Sequence, residues 1–460
     1  MTIDVLLITS YAAGEKFEVF WSRLARALSD RECTVSFISA DHRLSQFLTD
    51  AGFHVYDLSK MPSELEPALD MAARAEKLLE QYSIPSLRDF VFPEKCYRDG
   101  REDLLISKSV RYFAAIEEFF SVHSVGCVVQ RQGGEVIRRV TSRVAEHQHV
   151  PVIYLGDSFF PGRLFLYDNE MNELNLQLCS PGDLTESEMR KMDNYIHEFV
   201  QRRTLYQYHN TVNPSLREKT AKARWMIRKM GIASFIRSMV RFLKTKTKKG
   251  HQLMRASFRQ LAFKVLFYSK FDPEAEYVFF PMHVKDDSQI TLRNPHFYRQ
   301  EFLVEVIARA LPEGCRLYVK DHPGVNGYLS LSSAKFISRI KNVKLLDTGM
   351  HSHTVIQNAK AVVVINSTVG FEALHYYKPV IVLGNWWLKD LGCTIDVDNL
   401  FLLPSAIREA MRKKVDKDKI KALLYSLQRE AFDGNVDINP YDIDYNGLAA
   451  SLIEKLRQVS

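Results

Sequence analysis

Residues 361–383 read AVVVINSTVGFEALHYYKPVIVL. Ala361 to Ile365 is a β-branched run of the kind found in a buried parallel strand. Asn366, Ser367, Thr368 and Gly370 form a polar turn, and Phe371 to Tyr377 is helical in character. Lys378 and Pro379 stop that helix, and a second strand begins at Val380. A helix that opens in Asn-Ser-Thr-x-Gly points free N–H groups and two hydroxyls at one spot, which suits an anion. Glu372 follows one turn inside, where a carboxylate can accept hydrogen bonds from a ribose diol. The same residues also suit a plainer role, with Ser367 and Thr368 as helix caps and Glu372 balancing the helix dipole.

Working outward, the repeat of strand, loop and helix continues upstream. YVFFPMH (277–283) is a strand ending in Pro281 and His283. A helix is predicted over 297–311, with Phe297, Phe302, Ile307 and Leu311 on its inner side. RLYVKDHP (316–323) is a strand ending in Lys320, Asp321, His322 and Pro323. Open α/β sheets bind ligands at the carboxyl ends of their strands, so His283, the Lys320–Pro323 group and Asn366–Thr368 are expected to share one pocket. Lys320 offers a point charge and His322 a donor. With the Ser/Thr turn, they suit a phosphate attached to a nucleoside. Asp286 and Asp287, adjacent in a loop, read as a solvated pair, and no metal site is expected.

The first part of the chain has the same rhythm. IDVLLIT (3–9) is a strand followed by a loop from Tyr11 to Gly14, and the helix near 16–29 carries Phe17, Phe20, Trp21, Leu24 and Leu28 at helical spacing. The first strand–helix turn is not GxGxxG, so it lacks a dinucleotide fingerprint. Later strands at 125–129 and 151–156 are followed by QRQGGE (130–135) and by Asp157. Gln130, Arg131, Gln132, Glu135 and Asp157 are therefore expected on one rim. DSFFPGRLFLYDNEMN (157–172) reads as an aromatic loop ending in Asp168 and Asn172.

A chain of 460 residues is too long for one ordinary core. The boundaries read as 1–182 for a first α/β domain, 183–274 for a helical basic insertion, 275–435 for a second α/β domain and 436–460 for a closing helix. The net charge of +7 hides an asymmetry. Residues 217–270 hold 16 Lys and Arg against one acid, Glu218, which leaves the remainder at −8. Trp225, Ile232, Phe235, Ile236 and Phe242 lie among these bases, as in a helix resting on an anionic membrane surface, a basic helix packed on the protein, or a mobile inter-domain segment. No recognised nucleic-acid motif accompanies the charge, so nucleic acid is not an expected partner. The six cysteines form no CxxC pair. The N-terminus lacks a basic segment before its apolar run, so it reads as a strand and not as a signal peptide. A cytoplasmic protein, peripheral at the inner face of the membrane, is the expectation.

The phrases FFPMH, YVKDHP and INSTVGFEALHYYKPVIVLG resemble the capsule polysaccharide biosynthesis proteins. These are bacterial glycosyltransferases of the GT-B type, with two Rossmann-like parallel-sheet domains facing a cleft, and they include the β-Kdo transferases. The His-Pro and Ser-Thr elements also resemble those of bacterial sialyltransferases that use CMP-sugars. SFFPGRLFLYDNEMN (158–172) is similar to the family's Pro-Gly…Asp…Asn signature. The resemblance implies a CMP-sugar donor, Kdo or sialic-acid-like, bound by the second domain. His322 would contact the phosphate, Ser367 and Thr368 would hold it, and Glu372 would hold the ribose. The first domain would bind a polysaccharide or lipid-linked acceptor and supply the catalytic acid. The family often has Glu shortly before the Pro-Gly. Here Gly156-Asp157 stands there, so Asp157 or Glu135 takes that role. No tightly bound cofactor is implied. A UDP- or GDP-sugar enzyme of the same fold and a non-catalytic membrane scaffold of polysaccharide assembly are the alternatives.

Overall fold

The computed structural model describes residues 2–10, 14–61, 68–98, 100–174, 176–203, 263, 265–322, 329–436 and 439–459. The chain forms two compact units. Most of the expected basic insertion, most of the loop after the first strand, and Pro323 lie outside the described residues.

The first unit is built on a seven-stranded sheet. Its strands are β1 (Thr2–Thr9), β2 (Val35–Ser39), β3 (His54–Asp57), β4 (Ser124–Arg131), β5 (Val152–Asp157), β6 (Arg163–Tyr167) and, far downstream, β13 (Phe432–Asp433). The order is β13-β6-β5-β4-β1-β2-β3. The five strands β5-β4-β1-β2-β3 are parallel, and β6 and β13 extend the sheet antiparallel. Buried apolar runs explain the parallel part: Val5, Leu6, Leu7 and Ile8 of β1 have almost no exposed surface.

The stretch read as an aromatic loop instead contains β6. Arg-Leu-Phe-Leu-Tyr is apolar and aromatic enough to form a strand, and Gly162, at φ 71°, makes the reversal that brings it back along β5. The downstream boundary also differs from 275–435. Residues Asp286–Pro295 and Ala422–Ser460 belong to the first unit. Strand pairing of β13 with β6 accounts for part of this. The rest is apolar packing. Leu448 and Leu452 of the Tyr445–Val459 helix enter the core that contains Phe20, Trp21 and Leu24 of the Glu15–Ser29 helix. Each such leucine contributes about 1.5–3 kcal/mol by leaving water.

The second unit has a six-stranded, wholly parallel sheet. Its strands are β7 (Tyr277–Pro281), β8 (Arg316–Lys320), β9 (Val343–Leu346), β10 (Ala361–Val364), β11 (Val380–Val382) and β12 (Ile395–Asp396), in the order β12-β11-β10-β7-β8-β9. The helix expected at 297–311 is Gln300–Ala310. Leu303, Val304 and Ile307 form its buried side, while Phe302 is exposed and packs edge-on against Phe336. The two α/β units on parallel sheets match the fold class read from the sequence. Among the described residues no helix is long and apolar enough to cross a membrane.

Candidate functional site

Sheet order brings three loops of the second unit together. β10, β7 and β8 are consecutive neighbours, so Asn366–Thr368, His283 and Lys320–His322 leave adjacent carboxyl ends. The Thr368–His375 helix starts directly after β10. Ser367 is its N-cap, accepting from the N–H of Val369 at 3.2 Å, and the first turn contains no acid. Its leading N–H groups therefore face no carboxylate of their own turn. Gly370 has a packing reason. A Cβ there would lie 2.9 Å from the Trp386 ring and 3.0 Å from Val364, so only glycine lets the helix sit this close to its strand.

The chemistry beneath these loops is buried. Lys320 is 4% exposed and Glu372 is 3% exposed. Burial lowers Lys320 to about 8, although the charge of Glu372 pulls the other way. Burial raises Glu372 to about 8, opposed by Lys320. Glu372 Oε2 has no hydrogen-bond partner, and His353 Nε2 stands 3.8 Å from it. His283 is fixed by its backbone: its N–H donates to Gln300 Oε1 at 2.8 Å, and Gln300 Nε2 donates back to its carbonyl at 3.3 Å. Desolvation lowers the imidazole to about 4, so it is neutral at pH 7. His322 and Thr368 are partly exposed at this edge, and Asn366 is buried. Asp321, beside them, turns inward to accept from the N–H groups of His322 and Leu329.

The first unit's rim is arranged differently. β5, β4 and β1 are neighbours, which brings Asp157, Arg131–Gln132 and Ser10 to adjacent carboxyl ends. Gln130 does not face the rim. Its side chain lies wholly buried beneath the Val136–His147 helix, donating to Ser142 Oγ at 2.7 Å. Arg131 donates to the carbonyl of Val436 and lies over the Phe20 ring. Glu135 is paired with Arg138 at 2.9 Å, and Arg138 also reaches the carbonyl of Gln132 and Ser10 Oγ. Asp157 stays half-buried at the strand end. Asp168 is exposed and bonded to Asn169, while Asn172 is buried and accepts from Arg293. Asp168 and Asn172 thus diverge. Asp287, one of the pair read as solvated, caps the Ser288–Thr291 turn by accepting from the N–H of Gln289.

One residue that the sequence did not suggest distinguishes the helix N-terminus of the first unit from that of the second. Glu94, 1% exposed, accepts from the N–H of Val136 at 2.8 Å and pairs with Lys108 at 3.1 Å. It seals the N-terminus of the Val136–His147 helix with a carboxylate of the protein, so that terminus is already occupied by an anion. Gly134 makes the approach possible, since a Cβ there would collide with Pro93 on the Glu94-bearing helix. The corresponding helix of the second unit carries only the neutral Ser367 cap. His353, Tyr376 and Arg293 were also not suggested. The one local signal is the presence of polar residues in otherwise apolar helical stretches, and that pattern does not say what they face.

Protein FixF of Sinorhizobium fredii is 32% identical over 111 residues, which are 24% of this chain and 26% of that protein, so the match spans about a quarter of the relative's length. The solved structure of Thermosulfurimonas dismutans KpsC, a β-Kdo 2,4 transferase, is 15% identical. The alignment covers 75% of this chain and 94% of that one, at a TM-score of 0.33. A glycosyltransferase from Rickettsia africae is 9% identical over 100% and 98% of the two chains, at a TM-score of 0.32. The family model described as capsule polysaccharide biosynthesis protein matches residues 156–428, more than half of the chain and the span that carries Asp157, His283, Lys320, His322 and Asn366–Glu372, and the chain belongs to that family.

Proposed function

We propose that this chain is a GT-B type glycosyltransferase that moves a sugar, Kdo or sialic-acid-like, from a CMP donor onto a bacterial surface polysaccharide or a lipid-linked acceptor. The observation that carries the reading is the convergence of three adjacent strand ends, β10, β7 and β8, around a helix N-terminus that carries no acid of its own. A nucleotide phosphate meets the first N–H groups of the Thr368–His375 helix together with Ser367, Thr368, Lys320 and His322. Glu372 receives the ribose hydroxyls. The first unit, whose equivalent helix is closed by Glu94, takes the acceptor.

In this reading the donor breaks at its anomeric carbon through an oxocarbenium-like transition state, and charge develops on the departing CMP phosphate. Fixed N–H dipoles and the Lys320 ammonium stabilise that charge without reorganising. Asp157 supplies the carboxylate of the first unit. It acts as general base towards the acceptor hydroxyl if configuration inverts, or as nucleophile if it is retained. Glu135 is committed to Arg138 and suits the role less well. The donor is a substrate, and no tightly held cofactor is needed. The 16 bases of residues 217–270 suit an anionic membrane surface near a lipid-linked acceptor.

The test is a thermal-shift screen against CMP, CDP, UDP, GDP and ADP, with and without His322→Ala. Ligand at about 100 times its Kd adds about 2.7 kcal/mol of stability. Stabilisation by CMP, lost in the variant, is the expected result. A response to UDP or GDP alone moves the donor to that class, and no response to any of the five overturns the reading.

A further inference from the structure

Glu372 does not stand alone in the second unit. His353 has no exposed surface, and its Nε2 faces Glu372 Oε2 at 3.8 Å. The opposite ring nitrogen, Nδ1, lies 2.8 Å from the hydroxyl of Tyr376. A phenol at this position is protonated, because burial raises Tyr376 above the usual phenol range. Its O–H can donate to Nδ1. Where Nδ1 accepts from Tyr376, the ring presents an N–H on Nε2, the nitrogen turned towards Glu372. Tyr376 and Glu372 are on or next to one helix, Thr368–His375, while His353 comes from the separate Ser352–Asn358 helix. The imidazole thus stands between two elements, its Nε2 at 3.8 Å from one oxygen of the Glu372 carboxyl group, within ion-pair range but beyond hydrogen-bond reach. Phe199 (ring centroids 5.5 Å away) and His351 (5.1 Å) pack the ring from other sides. Lys320 is the cation that acts on Glu372.

We infer that His353, held by Tyr376, is a positioning residue for Glu372, and that this Tyr376–His353–Glu372 chain makes the nucleotide site selective for a ribose with its hydroxyls intact. The inference rests on Glu372 as the ribose-holding group. A merely structural His353 would affect stability and the affinity for all nucleotides alike. A positioning one affects only the part of binding that depends on the diol.

Calorimetric titration of the full chain with CMP and with 2′,3′-dideoxy-CMP separates these cases. The wild type is expected to bind CMP about ten-fold more tightly than the dideoxy compound, as the loss of hydrogen bonds to a buried acceptor implies. His353→Gln and Tyr376→Phe should each bring that ratio towards one while leaving dideoxy-CMP affinity unchanged, and Glu372→Gln should do the same. Tyr376→Phe removes a single hydroxyl from a half-buried ring, so it tests the chain even if His353→Gln fails to fold. Wild-type ratios in Tyr376→Phe and in any folded His353→Gln, alongside a lost ratio in Glu372→Gln, overturn the inference and leave the ribose role of Glu372 intact. A wild type that binds both compounds equally, or a Glu372→Gln chain that still discriminates, overturns the ribose role and the inference with it. No binding of CMP overturns both and the donor class too.

Discussion

Arg293 donates a 2.7 Å hydrogen bond to Asn172 Oδ1 across 121 residues of chain, and both side chains are buried. Burial lowers the guanidinium below its ordinary range without discharging it, so its hydrogen bonds matter. Asn172 also holds φ at 62°, a left-handed conformation that asparagine tolerates better than alanine does. Asn172→Ala therefore loses both a bond to a buried charge and a backbone preference, and should cost about 3 kcal/mol. Asn172→Gly keeps the backbone relaxed and should cost about 1 kcal/mol less. Urea unfolding of the three chains measures both steps. A loss under about 0.5 kcal/mol in each variant would mean that Arg293 finds another partner in the folded chain.

That bond also marks the limit of what the sequence could say. The second sheet was legible because its strands are β-branched runs bounded by polar turns. The adjacency of His283, Lys320 and Asn366 follows from the carboxyl-end rule once the strands are placed in one sheet. Strand β6 was hidden because its aromatic residues sit between loop-like neighbours, and its pairing with β5 and β13 is set by tertiary contact. Gln130 read as a rim residue because it stands near a strand end. The pleat turns its side chain under a helix, and the register needed to see that comes only from the sheet. Residues 286–295 and 422–460 fold with the first unit for the same reason. Burial partners far apart in sequence leave no local periodic trace.

The two candidate catalytic carboxylates make separable predictions. Glu135 is tied to Arg138, which in turn holds Ser10 and the carbonyl of Gln132. Glu135→Gln should therefore act mainly on stability, by about 1 kcal/mol, with turnover within a few-fold of wild type. Asp157→Asn should leave the nucleotide thermal shift intact and lower kcat by about 10²–10⁴, the usual worth of a general base. Steady-state kinetics with a CMP-sugar donor, read beside the thermal shift, checks the pair. The opposite pattern would assign the catalytic role to Glu135.

The buried Lys320 and Glu372 give the second unit a pH signature. An unfolded Glu372 titrates near 4.5, and burial raises the folded group to about 8. Between those values the folded chain holds the extra proton, so this group's contribution to stability falls as pH rises. Lys320 is lowered from 10.5 to about 8, so between 8 and 10.5 the unfolded chain holds the extra proton and stability rises with pH. Glu372→Gln removes the first dependence. It also takes away the charge that raises Lys320, so the lysine is pushed lower still and the variant's rise with pH starts earlier. Both effects have the same sign. The Tm of Glu372→Gln minus that of the wild type should therefore climb steadily from about pH 5 to about pH 8. Thermal melts in matched buffers measure it. A flat difference across that range would mean that Glu372 is ionised in the folded chain at pH 5, with its charge matched by Lys320 or His353.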